Sequence, residues 1–190
     1  MLNSKALTDL LSHNRDDRLC KKWFLMTPNG TLLAYSQPTD INDIRKQAAV
    51  AAITWQEHEH QQQSTFDGEI REDTEQSPLH VLIVESQISN IIMRKIQDHL
   101  LLVLEGGVPP RRSGFERRIT AESADGTHQR PSHEDEAVSI RSDHTGTSKV
   151  GANVLKLQRT KLDQLAEAIM ADFQQTGFKM PEHESSTIVF

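Results

Sequence analysis

Three apolar runs stand close together in the middle of the chain, and they constrain the fold more than any other feature. Residues 79–84 read Leu-His-Val-Leu-Ile-Val, residues 91–96 alternate around Arg94 and Lys95, and residues 100–104 are apolar throughout. Each has the length of a strand and is bounded by polar residues. The links between them are too short for a parallel crossover, so neighbouring strands must run antiparallel. A sheet with one wet face would show clean alternation. The first and third runs do not alternate, so both faces of this sheet must be covered, and covering layers have to be found elsewhere in the chain.

Three helices supply them. In residues 4–13, Ala6, Leu7, Leu10 and Leu11 share one stripe, with Ser4 placed as a cap and an end near Asn14. Residues 22–26 and 31–35 flank Pro28-Asn29-Gly30, and Asn-Gly tolerates the positive φ angles of a tight hairpin. Asp40 can cap a helix on which Ile41, Ile44, Ala48, Ala51, Ala52 and Trp55 recur at helical spacing. Val50 and Ile53 lie off that stripe. A helix packed on one sheet needs a single apolar stripe, so this one is expected to have a second contact surface. A last helix is expected over residues 151–175, where Leu155, Leu162, Leu165, Ala166, Ile169 and Phe173 align and Gly177 can end it.

Between these elements the chain turns polar. Residues 57–78 read as a helix end followed by a loop. In residues 106–149 the large apolar side chains are Val108, Phe115, Ile119, Val138 and Ile140, too few for a core, so this stretch reads as a disordered insertion. Its deletion is expected to change stability by no more than about 1 kcal/mol. The domain expectation is one unit over residues 1–176, interrupted at 106–149, with a flexible tail over 177–190. The 190 residues are 36% hydrophobic and 25% charged, which suits one such core, and the net charge of −6 argues against a nucleic-acid partner.

Chemistry is hard to find. His58 and His60 are two apart on a helix, which directs them about 200° from one another rather than onto one ion. Cys20 lacks a neighbouring base in a defined pocket and reads as an inert thiol. Gly106-Gly107 follows a strand but runs into Val108-Pro109-Pro110, and proline removes the donors a phosphate needs. Arg117-Arg118-Ile119-Thr120 has the pattern of a basophilic kinase substrate, weighed against simple solvated charge. Paired carboxylates fall on expected loops. No catalytic residue, cofactor or metal ligand is assigned.

The order helix, hairpin, helix, three strands, helix resembles the roadblock/dynein light chain family, and within it the roadblock-type subunits of Ragulator. The resemblance is carried by Met1-Leu2, Lys5-Ala6-Leu7-Thr8 and Leu11-Ser12, and most specifically by Gly30-Thr31-Leu32-Leu33-Ala34-Tyr35-Ser36. Ala48, Ala51-Ala52-Ile53, Trp55, Val150-Gly151 and Leu155-Lys156 extend it, so that it spans roughly residues 1–60, 79–105 and 150–175. It implies an α+β, profilin-like fold with a five-stranded antiparallel sheet between helices. It implies a non-catalytic scaffold that heterodimerises with a second roadblock-type subunit through the second helix and third strand. Placed on this sequence, those partner-binding residues are Ile44, Ala48, Ala51, Ala52, Trp55, Leu79, Val81 and Ile83. The function implied is docking of Rag-type GTPases for nutrient-dependent TOR signalling, on the cytosolic face of lysosomal, vacuolar and late endosomal membranes. The alternative within the family is a dynein-light-chain-type or homodimeric regulator of small GTPases. Residue 2 is leucine rather than a myristoylated glycine and no cysteine stands near residue 190, so membrane contact is expected to be indirect, through a lipidated adaptor subunit.

Overall fold

A computed structural model describes residues 2–64, 78–109, 115–124, 128–129 and 145–181. The elements run α1 (Ser4–His13), β1 (Cys20–Met26), β2 (Leu32–Tyr35), α2 (Ile41–Ser64), β3 (Leu79–Glu85), β4 (Asn90–Gln97), β5 (Leu100–Gly106), β6 (Arg118–Ser123), β7 (His128–Gln129) and α3 (Thr145–Thr176). The strands form one antiparallel sheet in the order β2-β1-β5-β4-β3-β6-β7. The α+β architecture, the hairpin and the β3-β4-β5 meander are as the sequence indicates.

Alternation across the strands sorts the core into two halves. Trp23, Leu25, Val81, Ile83, Ile92, Leu102 and Leu104 point to the side of α1 and α3, where Leu7, Leu11, Leu162, Ile169 and Phe173 meet them. Phe24, Met26, Leu82, Met93, Leu101 and Val103 point to the side of α2. These strands are therefore buried on both faces, which is why their sequences run apolar without a break.

The helix ends have identifiable causes. Asn3, not Ser4, caps α1: its side-chain oxygen accepts from the Ala6 N–H at 3.1 Å. Ser4 instead donates to the Leu33 carbonyl at 3.0 Å and ties the helix to the hairpin. α3 closes on Gly177, whose φ of 64° suits glycine. The Gly177 N–H donates to the Gln174 carbonyl and the Phe178 N–H to that of Phe173, and the Phe173 and Phe178 rings meet at 4.8 Å between centroids. This is a Schellman closure with its apolar contact.

α2 runs on to Ser64, within the stretch read as a helix end, since its polar Glu and Gln residues are good helix formers that need no packing; the loop expected after it, over 65–77, lies outside the described residues. Other sequence expectations need correction. Among the described residues the sheet has two strands beyond the expected five. Both lie in the stretch read as disordered, and β6 pairs with β3 along its whole length, from Leu79↔Ser123 to Glu85↔Arg118. Few apolar residues suffice there because a strand added to an existing edge needs only ladder hydrogen bonds and one or two inward side chains; Ala121 and Ser123 are the buried ones. Deleting residues 107–147 would remove β6 and uncover that edge of β3. The tail is held over its first residues: Gln97 donates to the Phe178 carbonyl at 3.1 Å and accepts from the Met180 N–H at 2.9 Å. The remaining tail expectation, over 182–190, and most of that for 125–144 lie outside the described residues.

Candidate interaction surface

The Asp40 carboxylate accepts from the Asn42 N–H at 2.9 Å and fixes where α2 starts. From there Ile44, Ala48, Ala51, Ala52 and Trp55 fall on one stripe, and each is at most 5% exposed. They pack against the sheet side chains Phe24, Met26, Leu82, Met93, Leu101 and Val103. The hairpin leans on them: Gly30, with φ of 87°, lies against Ala48 and Ala52. Close by, Gln47 donates to Glu105 at 2.7 Å, and Lys22 pairs with the same carboxylate at 3.0 Å.

These five residues, expected to face a partner, thus face the chain's own sheet. The sheet needs the densest apolar stripe of α2 to cover its core, so that stripe is not left over for a second chain. Leu79, Val81 and Ile83 are also buried, with β4 on one side of their strand and β6 on the other. The ladder to β6 shifts register between Leu79 and Val81, and Leu79 joins the α2-side core while Val81 and Ile83 join the other. None of the three stands at an open edge.

The surface left on α2 is its opposite side. Val50 is 54% exposed and Ile53 58%, with exposed Ala49 beside them and exposed Lys46 and Glu57 one turn away on either side. Periodicity separates these two residues from the stripe, and they are the ones that remain in water. Thr54 donates its hydroxyl to the Val50 carbonyl at 3.0 Å, so that donor is spent within the helix. On the same side of the sheet, Val84 stands between Ile91 and Ile119 in a cross-strand row whose two outer members are only half-buried. Ile119 comes from β6, and nothing in the local sequence pattern announces it as part of this face.

Elsewhere the sequence candidates resolve into structure. Burial pushes the Cys20 thiol up to about 11, far from thiolate reactivity. Gly106 and Gly107 mark a close approach, not a phosphate loop. A Cβ on Gly106 would collide with the Gln158 carboxamide, and one on Gly107 with the Arg18 carbonyl. Gln158 itself is fully buried: it donates to the carbonyls of Leu19 at 2.9 Å and Gly107 at 2.6 Å, and accepts from Asn90 at 2.9 Å. The ring Nδ1 atoms of His58 and His60 lie 2.8 and 2.7 Å from carbonyls one turn back. Among the described residues no three metal-binding side chains gather, and no helix is long and apolar enough to cross a membrane.

No protein-family model matches the sequence, and no curated protein matches it. Solved structures do. Myxococcus xanthus MglB is 12% identical and aligns over 95% of this chain and 97% of its own, with a TM-score of 0.51. This chain has the fold of that protein. A roadblock/LC7 domain from Streptomyces avermitilis is 16% identical over 53% of this chain and 77% of its own, with a TM-score of 0.40. The gliding protein MglB from Thermus thermophilus is 13% identical over 87% of this chain and 91% of its own, also at 0.40.

Proposed function

We propose that this chain is a non-catalytic scaffold subunit that binds a second subunit of the same fold through the outer side of α2. The supporting observation is the pair Val50 and Ile53, apolar, adjacent on the helix surface, and more than half exposed. Lone exposed apolar residues are ordinary, but these two are neighbours on one side of the helix, and the sheet face that α2 covers carries further half-buried apolar residues at Ile91 and Ile119. The hairpin stretch Gly30 to Ser36 and the order of elements support a roadblock-type, GTPase-associated adaptor. The finer reading is a Ragulator-like assembly on lysosomal or vacuolar membranes: a lipidated adaptor supplies the membrane anchor, and Rag-type GTPases dock for TOR signalling.

The test is to purify tagged chain from cells and compare it with Val50→Asp combined with Ile53→Asp. The wild type should bring down a second roadblock-type subunit, a lipidated adaptor and a Rag-type GTPase. The double variant should lose the roadblock subunit while keeping its own melting temperature. Recovery of dynein intermediate chain instead would replace the Ragulator reading. Undiminished recovery of the roadblock subunit by the double variant would remove α2 from the interface.

A further inference from the structure

Toward one margin the sheet carries a strand, β6, that the rest of the sheet does not need. β3, β4, β5, β1 and β2 already form a complete meander and hairpin, and β6 arrives from a separate stretch of chain, linked to β5 and α3 by residues 107–117 and 124–144. It covers the outer edge of β3 along its length, and the Ala124 N–H to Pro78 carbonyl bond, at 3.2 Å, carries the contact one residue further. Without it, that edge would present a row of unpaired N–H and C=O groups beside Leu82 and Val84, a template for any extended chain.

We propose that the outer edge of β3 is a strand-acceptor site, and that β6 is its tethered occupant, holding the edge closed to extended segments of other chains. The site has a defined specificity. Its α2 side takes small or apolar side chains, as at Ile119 and Ala121, which join that core. Its α3 side takes an acid, since Glu122 pairs with Arg159 at 2.9 Å, and Arg159 is itself held by Asp163 at 2.9 Å. β-Augmentation draws affinity from the backbone ladder and selectivity from such alternating side-chain positions.

The occupant is also the most shallowly held of the strands on this side of the sheet. Of its six residues only Ala121 and Ser123 are buried, against five of seven in β3 and six of seven in β5. Among the described residues its own outer edge meets β7 at Ala121 and Glu122. A short strand with little buried surface opens at lower free energy than the strands beneath it. Residues 107–117 and 124–144 separate it from β5 and α3 along the chain, enough sequence for it to leave without moving either element.

The experiment uses the full chain and a fluorescent peptide of residues 115–124. Two variants loosen β6: Ala121→Glu places a charge in the α2-side core, and Glu122→Lys sets like charges against Arg159. In both, hydrogen exchange of β6 amides and of the outward amides of β3 should quicken by about tenfold or more while β4 and β5 stay protected. Both should bind the peptide and regain β3 protection on binding it, whereas the intact chain should bind at least about tenfold more weakly. The proposal is overturned if the intact chain binds the peptide as well as the variants do. It is equally overturned if neither variant binds it, or if both lose β4 and β5 protection, since β6 would then be part of the core. Val50→Asp should leave peptide binding unchanged, which separates this site from the α2 surface.

Discussion

On one face of the sheet, α1 and α3 together cover Trp23, Leu25, Val81, Ile92, Leu102 and Leu104; on the other, α2 is the one helix among the described residues that covers Phe24, Met26, Leu82, Met93, Leu101 and Val103. The two-helix side is also pinned by polar contacts. Gln158 bridges α3 to β4, to residue 107 after β5 and to the loop before β1, and Arg94 pairs with Asp163 at 2.6 Å. The one-helix side has the Gln47, Glu105 and Lys22 contact at one end of α2, and beyond the helix an apolar row whose outer members stay half-exposed. Among the described residues, the half-buried row and the exposed Val50 and Ile53 both lie on the single-helix side.

The largest effect should come from breaking the single-helix side. Trp55→Ala, at a fully buried position, is expected to cost about 3–5 kcal/mol, read as a lower denaturation midpoint. Ala52→Arg, beside Gly30 and the hairpin, should likewise fail to fold rather than merely fail to bind. On the two-helix side, Gln158→Leu removes the buried side chain that bonds the Asn90 amide and the carbonyls of Leu19 and Gly107, at about 2–3 kcal/mol. Smaller again on the isolated chain is Val50→Asp with Ile53→Asp, within about 0.5 kcal/mol for exposed positions. An unchanged melting curve for that variant would sharpen the contrast between the two sides of α2, and a large loss would erase it.

The smallest effect concerns His80 on β3. Burial first, and then the nearby Arg94 and Arg159, hold it below its ordinary 6.5. As pH falls, the unfolded chain takes up this proton before the folded one, so stability declines below about 6.5 and levels off once the folded histidine is also protonated. His80→Gln should flatten that part of a stability-against-pH curve and leave the neutral region unchanged.

Much of this was legible because it is local. The stripe of α2, the Asn29-Gly30 turn and the unbroken apolarity of β5 each follow from side-chain periodicity or from one residue's backbone freedom. What was not legible depends on distant neighbours. Periodicity separated Val50 and Ile53 from the Ile44 to Trp55 stripe but could not say which set the sheet would take. The sheet takes the denser one, and so the residues assigned to a partner are core. β6 is invisible in Arg-Ile-Thr-Ala-Glu-Ser because the strand exists through β3, far away in sequence. Gln158 looked like any surface glutamine. Its role depends on Gly106 and Gly107 leaving room for it.

The most direct measurement is hydroxyl-radical footprinting of the intact complex against the isolated chain, read at single side chains. Val50 and Ile53 should be oxidised readily in the isolated chain and protected in the complex, while Trp55 and Val81 are protected in both. Equal oxidation of Val50 and Ile53 with and without the bound subunit would contradict a partner surface on the outer side of α2.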